Sequence, residues 1–343
     1  MRRWKSRGHA AVIFLSAVVL LFLFFVNLFV GSVDIPFTAV ADILSGDETS
    51  SAAWRMIVLD SRLPQALAAL FSGMALSVSG LTLQTLFNNP LAGPEVFGIN
   101  SGAGLGVALV MLFMHGTFTA GAITLGGYAA MLAGAFIGAL AVIVIILALS
   151  AWVRNSLFLL IAGLAVSYLT SAVITLLNYF STAEGVHSYL IWGMGDFGGV
   201  SMEYMPFYVS LVIVLLLIAL LMAKPLNALM LGDSYAANLG VRTKRIRGIV
   251  LMLTGALTAI VTAFCGPISF IGLAVPHFAR LMLRTNNHLL LLPVAMFLGG
   301  AVALLCNMLC HLPGDNGLIP LGAITPIIGA PVILYVVLRD RRL

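Results

Sequence analysis

Hydrophobic residues fill most of the chain in long runs, and short polar segments separate these runs from one end to the other. Most of the runs are close to the length of about 20 apolar residues that an α-helix needs to cross a bilayer. The pattern predicts ten transmembrane helices, at about 11–30, 63–86, 96–114, 121–150, 158–180, 204–222, 246–264, 268–283, 289–311 and 321–338. The fourth run is too long for a straight span, so we expect that helix to tilt or to extend into water.

The first run follows a basic start and therefore resembles a secretory signal peptide. Its apolar stretch of about twenty residues exceeds the hydrophobic region of such a signal, and no small-residue cleavage site follows it. We interpret it as the first transmembrane helix. With 61% hydrophobic and 8% charged residues, the chain is predicted to be an all-α polytopic membrane protein with one transmembrane domain over residues 1–343.

Charge predicts the orientation of this bundle. With ten helices and the N-terminus inside, 15 of the 17 basic residues fall on the inside, and only Arg55 and Arg62 fall outside. Nine of the 12 acidic residues fall outside, as the positive-inside rule leads us to expect. We therefore predict a multi-pass protein of the cytoplasmic (inner) membrane with both termini cytoplasmic. The net charge of +5 then reflects orientation and does not indicate nucleic-acid binding.

A polar, proline-broken turn separates the second and third runs. It contains Asn88, Asn89, Pro90, Gly93 and Pro94, and an apolar glycine-rich helix follows it. Irregular backbone at membrane depth is tolerated only where protein or a water-filled path satisfies its polar groups. A break so placed is typical of a transport route.

Motifs for nucleotide binding and catalysis are absent from the sequence. None of the three lysines follows a glycine, so there is no GxxxxGK[ST] loop, and HExxH and GxSxG are missing too. We predict no catalytic residues and no cofactor bound by this chain; if ATP with Mg powers the protein, a partner chain binds it. Cys306, Cys310 and His311 make a metal site conceivable, but a further ligand is missing nearby and we favour packing for the cysteines.

The segment 231–247 is the second informative region. Its sequence predicts two short helices on the cytoplasmic face, with Gly232 and Gly240 as breakers. A basic loop that merely anchors helix ends at lipid headgroups is the alternative. Two rows of small residues on predicted spans also leave two interpretations open, helix packing within one protomer or a dimer contact. These rows are Gly73–Ser77–Gly80 and Ala130–Gly134–Gly138.

Three blocks of sequence resemble one family, the membrane permease subunits of ATP-driven importers for iron-siderophores, haem and vitamin B12. The first is RLPQALAALFSGMALSVSGLTLQTLFNNPLAGPEVFGINSGAGLG at 62–106. The others are GPISFIGLAVPHFARLML at 266–283 and LGAITPIIGAPVILYVVL at 321–338. The resemblance covers about residues 55 to 340.

The resemblance implies a homodimer with the translocation path between its two copies. Two ATP-binding ATPase subunits would bind the coupling loop (about 226–245) from the cytoplasm, and a soluble or lipid-anchored binding protein would deliver cargo. The coupling contacts implied are Leu231, Gly232, Asp233, Ala236, Leu239 and Gly240. A cytoplasmic gate is implied at Asn89, Leu91, Asn155 and Ser156.

The resemblance also implies an outer docking face for the binding protein. Arg62 matches one of the family's exposed arginines, whereas Gln65 and His311 stand where further arginines are common. The alternative for Arg62 is an anchor that only holds the helix end at the membrane interface. Docking through several salt bridges is therefore in doubt. The short segment WGMGDFGG at 192–199 resembles the family's outer helix and loop and would supply substitute contacts.

A different class of protein, an ion-coupled secondary transporter of a bulky organic solute, is the main alternative. Such transporters usually carry ionisable side chains within the membrane. Here only Glu95 and His277 lie near membrane depth, and we interpret His277 as a structural hydrogen-bonding residue at a proline-broken turn. A channel or an intramembrane enzyme is the third class. No residue selects one cargo.

Overall fold

The computed structural model describes residues 2–46, 51–114, 117–120, 123–152, 156–312 and 317–340. These ranges fold into an all-helical bundle with one short hairpin. The helices are α1 (Arg2–Phe29), α2 (Phe37–Ser45), α3 (Ala52–Met56), α4 (Leu63–Leu86), α5 (Ile99–Ala108), α6 (Gly127–Trp152), α7 (Ser156–Phe180), α8 (Ala183–Gly193), α9 (Met205–Leu221), α10 (Ala223–Leu229), α11 (Asp233–Asn238), α12 (Thr243–Cys265), α13 (Ile271–Leu283), α14 (His288–Cys310) and α15 (Leu321–Asp340).

Each of the ten predicted apolar runs contains a helix. Within the described ranges, six helices are long and apolar enough to cross a bilayer, and the pair α9–α10, bent by 50°, makes a seventh span. The other three apolar helices, Ile99–Phe113, Ile271–Leu283 and Leu321–Tyr335, are shorter, between 10 and 17 residues. Short helices joined by irregular backbone are the consequence of the glycines and prolines that separate them.

The second span begins earlier than the hydrophobic pattern predicts. A π-helical segment, Ile57–Arg62, joins α3 to α4, so one helix of 35 residues runs from Ala52 to Leu86. Pro64 lies in the first turn of α4. Proline has no N–H and clashes with the carbonyl four residues earlier, and a wide π turn relieves both problems without ending the helix.

The fourth apolar run is not helical along its full length. Strand β1 (Thr117–Ala120) pairs antiparallel with β2 (Ile123–Gly126), and α6 begins only at Gly127. The predicted start of this helix near residue 121 is therefore wrong, because the helix begins at Gly127. β-Branched threonine and isoleucine residues are frequent in both strands and favour the extended conformation.

Helix α4 forms the centre of the bundle. It packs against α12, α13 and α14, and 83% of the most apolar window of its span is buried, compared with 17% for α7. Its small residues allow this close approach. Gly73 faces the carbonyl of Gly299, Ser77 donates to the carbonyl of Ala295 at 2.6 Å, and Gly80 faces Gly272.

The second row of small residues packs in the same way. Gly134 and Gly138 on α6 lie against Gly106 and Gly102 on α5. Both rows therefore make contacts within one protomer, as the first of the two interpretations predicts.

Replacing Gly80 by alanine is expected to destabilise the bundle. A Cβ atom at this position would lie 1.7 Å from the carbonyl oxygen of Gly272, so the two helix backbones would have to separate. Overpacking of this kind typically costs about 1–3 kcal/mol. The control is Gly248→Ala on α12, where no atom lies within 4 Å of the new Cβ. Thermal unfolding in detergent should show a lower Tm for the first variant only, and equal Tm values would contradict the close contact.

Candidate functional site: the cytoplasmic turn, the docking helices and the outer cleft

The turn between α4 and α5, residues 88–98, is defined here as the gate turn. Asn88 adopts a left-handed conformation with φ of 44°, which asparagine tolerates better than most residues. Asn89 uses its side-chain oxygen to accept the N–H of Leu91 at 2.9 Å, so it stabilises the turn itself. Leu91 is 45% exposed at the tip. Among the predicted gate residues on this turn, Leu91 is therefore the one available for contact with another surface.

Helix α13 holds the gate turn from one side. His277 Nε2 lies 3.0 Å from the carbonyl oxygen of Pro90, and this bond satisfies an acceptor in the broken backbone. Gln84, in the last turn of α4, donates to the carbonyl of Leu273 and accepts a hydrogen bond from Arg280. The structural hydrogen bond predicted for His277 is confirmed.

Glu95 is the one acidic side chain of the gate turn, and it points into protein. Its carboxylate accepts hydrogen bonds from its own backbone N–H and from that of Phe270, while Oε1 is buried without a partner. Glu95 thereby ties the gate turn to the start of α13, where Phe270 has a positive φ of 68°.

The second predicted constriction lies at the start of α7. Ser156 is the first residue of that helix, and Asn155 lies outside the described residues. The short 3₁₀ helix Pro94–Phe97 of the gate turn packs on α7, where Gly163 approaches the carbonyl of Val96. The gate turn and the N-terminal half of α7 are therefore neighbours.

Within 231–247 the structure contains one short helix, α11, and the start of the long helix α12, so only the first of the two short helices predicted there is confirmed. Gly232, with φ of 99°, separates α10 from α11, and Gly240, with φ of 82°, follows α11. Leu231, Tyr235 and Leu239 are 61%, 53% and 58% exposed, so they form an apolar surface outside the bundle. We call these three side chains the docking patch.

The polar side of this loop is less suited to a partner. Asp233 is exposed and pairs with Arg247 at 3.0 Å, an intramolecular bond that orients α11 on α12. Ala236 is fully buried and packs inward, so the implied direct contact of Ala236 with an ATPase is wrong. Ala236 is the one residue of α11 that is buried, because each step along a helix turns the side chain by about 100° and only this position points at the bundle.

Arg62 does not lie on the outer surface. It is only 5% exposed, and its guanidinium donates to the carbonyl oxygens of Leu28 at 3.1 Å, Phe29 at 2.9 Å and Val33. The last carbonyls of a helix lack hydrogen-bond donors within the helix, and Arg62 supplies donors to the last two carbonyls of α1. The exposed position expected of a docking arginine is therefore wrong, and the bonds favour the alternative, an anchor at a helix end.

The other two predicted docking residues do come together. Gln65 and His311 line one cleft of about 150 Å³ with Asp196 and the segment Leu318–Leu321, which we call the outer cleft after the predicted orientation. His311 Nδ1 donates to the carbonyl of Asn307 at 2.8 Å. Among the described lining residues Asp196 is the only charged one, so the cleft lacks the basic character that the family resemblance implies.

Cys306 and Cys310 are buried at 0% and 7% exposure in the core of α14. Among the described residues, no group of three His, Cys, Asp or Glu side chains is placed to hold a metal ion. Both thiols therefore pack as small apolar side chains.

Two functional features escaped the sequence reasoning. One is a row of exposed hydroxyl groups on α7, namely Tyr168, Ser171, Thr175 and Tyr179. Their spacing of three and four residues was a readable signal for one face of a helix. The other is a hydrogen-bonded cluster around His288, which joins residues up to 203 positions apart. Residues so far apart in the chain form no pattern that can be read from the local sequence.

Comparison with known proteins agrees with this architecture. The model of the FecCD transport family matches residues 19–339. The vitamin B12 import system permease BtuC of Klebsiella pneumoniae is 35% identical over 294 residues, covering 86% of each chain. The hemin transport system permease HmuU of Yersinia pestis is 37% identical, covering 85% of this chain and 86% of the relative.

A solved structure supports the same conclusion. A metal-chelate-type ABC transporter in an inward-facing conformation superimposes with a TM-score of 0.83 and 27% identity, covering 96% of this chain and 99% of that one. The similarity therefore spans nearly the whole bundle as well as its motifs. The chain belongs to the FecCD transport family, and it is the membrane permease subunit of an ATP-driven importer.

Proposed function

We propose that the permease works as a homodimer, with the path for its cargo between two copies of α7. The hydroxyl row of α7 is the observation that carries this proposal. Tyr168 and Tyr179 are 75% and 80% exposed, and Ser171 and Thr175 are exposed between them. Polar side chains in a membrane bundle normally face protein or water, so this face is unsuited to lipid.

The adjoining face of α7 has a different character. Leu169 and Leu176, 68% and 60% exposed, form an apolar flank beside the hydroxyl row. A second copy or lipid covers such a flank without leaving polar groups unpaired. In this arrangement the hydroxyl row lines the path, and the apolar flank contacts the second copy or lipid.

The chemistry of this row indicates the class of cargo. Helix α7 contains no Asp, Glu, Lys or Arg. A path without fixed charges binds a charged solute weakly, which suits a large complex that must pass and be released. The relatives transport vitamin B12 and haem. We therefore infer that the cargo is a bulky metal chelate or corrinoid.

The partner subunits and the gate of the transport cycle are assigned to the two ends of the bundle. Two ATPase subunits, which carry the ATP and Mg, bind the docking patch from the cytoplasm, and both chain termini lie on that side. Asn89 and Leu91 of the gate turn, with Asn155 and Ser156, close the path below. A soluble or lipid-anchored binding protein docks at the outer cleft through Gln65, His311 and Asp196 instead of Arg62. The packing of helices around α4 supports a single permease domain.

Cysteines placed in the hydroxyl row are expected to react with a water-soluble thiol reagent. Ser171→Cys and Thr175→Cys, in the bilayer-reconstituted importer, should be labelled much faster than Leu169→Cys and Leu176→Cys on the flank. All four positions are exposed in the single chain. A difference in labelling rate between the two pairs would therefore come from the water-filled path beside one face and the lipid or protein that covers the other. The native cysteines are buried and contribute little background. Equal labelling on both faces would contradict a path along α7.

Uptake into proteoliposomes tests the function as a whole. Hemin, cyanocobalamin and a ferric siderophore are each offered with the cognate binding protein and the ATPase. We expect ATP-dependent accumulation of one of them. Accumulation driven by a proton or sodium gradient without the ATPase would instead support the ion-coupled alternative.

A further inference from the structure

The cytoplasmic ends of three helices meet at one buried histidine. His288, the first residue of α14, is 1% exposed. Its ring Nε2 lies 2.7 Å from Thr85 Oγ1 in the last turn of α4. Its ring Nδ1 and its backbone N both lie 2.8 Å from Asn227 Oδ1 on α10.

The surrounding bonds define the protonation of this ring. Asn227 Nδ2 donates to Asn287 Oδ1 at 2.8 Å, so the amide orientation of Asn227 is set and its Oδ1 must accept. His288 Nδ1 therefore carries a proton and donates it to Asn227. In the neutral ring Nε2 then has a free electron pair, which accepts the hydroxyl proton of Thr85.

The hydroxyl of Thr85 has a second acceptor within reach. Its Oγ1 lies 2.9 Å from the carbonyl of Leu81, one turn earlier in α4. One hydroxyl proton serves one of these acceptors at a time. If His288 moves away, the hydroxyl turns to its own helix and no donor is left unpaired, so the bond to His288 breaks at low cost.

This geometry connects two parts of the transport cycle. Helix α10 leads directly into α11 and the docking patch, and α4 leads directly into the gate turn. Helix α10 packs on both α4 and α14. We propose that His288 is a positioning residue that transmits movement of the docking helices to the gate turn, through Asn227 on one side and Thr85 on the other.

This inference rests on the proposed docking and gating, and it makes a claim beyond them. A purely structural histidine would hold the three helices together in every state of the cycle. A transmitting histidine is needed for the gate turn to respond to nucleotide. The two roles therefore differ in a measurement of response, and thermal stability alone does not separate them.

The experiment uses the permease reconstituted with its ATPase and carrying Leu91→Cys as reporter. Its labelling rate by a water-soluble maleimide is measured without nucleotide and after trapping with ATP and orthovanadate. Two substitutions each keep one half of the connection. His288→Asn places an amide where Nδ1 was and keeps the hydrogen bond to Asn227. His288→Gln places an amide where Nε2 was and keeps the hydrogen bond to Thr85.

We expect the nucleotide-dependent change in labelling to be lost in both variants, while the ATPase still co-purifies and hydrolyses ATP. The control is Asn27→Leu, which removes two other buried bonds to α14, from Asn307 to Asn27 Oδ1 at 2.9 Å and from Asn27 Nδ2 to the carbonyl of Leu304 at 3.2 Å. That control should keep the full response even if its Tm falls.

The outcomes separate the inference from the proposed function. An unchanged response in both His288 variants would overturn the transmitting role. Loss of the response in Asn27→Leu as well would also overturn it, because any weakening of α14 would then suffice. Failure of the unsubstituted reporter to respond, or failure of the ATPase to bind it, would instead refute the proposed gate or docking patch.

Discussion

Replacement of Leu239 by glutamate is expected to abolish association with the ATPase subunits while the helices stay inserted. Leu239 is 58% exposed beside Leu231 and Tyr235, on a loop that turns at two glycines with positive φ. A carboxylate in this apolar patch would have to lose its water on binding without gaining a partner. A loss of about 3 kcal/mol of binding free energy at such a hot spot raises the Kd by roughly two orders of magnitude.

The control for this prediction is Leu318→Glu. Leu318 is 59% exposed, almost the same as Leu239, but it lies in the outer cleft on the opposite side of the bundle. Affinity purification of each variant with the ATPase gives the measurement. Full recovery of the ATPase with Leu239→Glu would show that the cytoplasmic loop is only an anchor at the headgroups. Loss with Leu318→Glu would show that exposed leucines in general maintain the folded state.

Replacement of Arg62 by glutamate is expected to destroy the folded state, because Arg62 is structural. The guanidinium satisfies carbonyls at the end of α1 and beyond it, at Leu28, Phe29 and Val33. A carboxylate would place negative charge against three acceptors in a site that is 5% exposed. Breaking a buried charged contact of this kind costs on the order of 3–5 kcal/mol.

Size-exclusion profiles and thermal unfolding in detergent check this prediction. The matched control is Gln65→Glu, which adds the same carboxylate three residues further along α4 but in a half-buried position of the outer cleft. We expect Gln65→Glu to give a monodisperse peak and Arg62→Glu to aggregate. A well-folded Arg62→Glu protein that had lost only its binding protein would restore the docking role inferred from the family.

Local sequence was sufficient where one segment carries its own physical constraint. Apolar run length located all ten helices, and the glycines at 232 and 240 placed the breaks around α11. The proline-broken turn after α4 was evident because asparagine, proline and glycine close together favour a turn over a continued helix. Family membership followed from three such blocks in the expected order.

Local sequence could not predict which residues of other helices face a given side chain, because that depends on the rotation of each helix about its axis. Spacing showed that Gly73, Ser77 and Gly80 share a face, but the partner of that face became clear only when Gly299 and Gly272 were found against it. Ala236 matched a coupling motif, yet the rotation of α11 turns it inward.

The membrane class, the ten apolar helices, the broken turns and the family were thus determined by the sequence itself, since each depends on residues close together in the chain. The tertiary structure alone decided the burial of Arg62, the cleft shared by Gln65 and His311, and the connection of His288 to Thr85. These depend on side chains from different helices, whose relative rotation and depth are set by packing throughout the bundle.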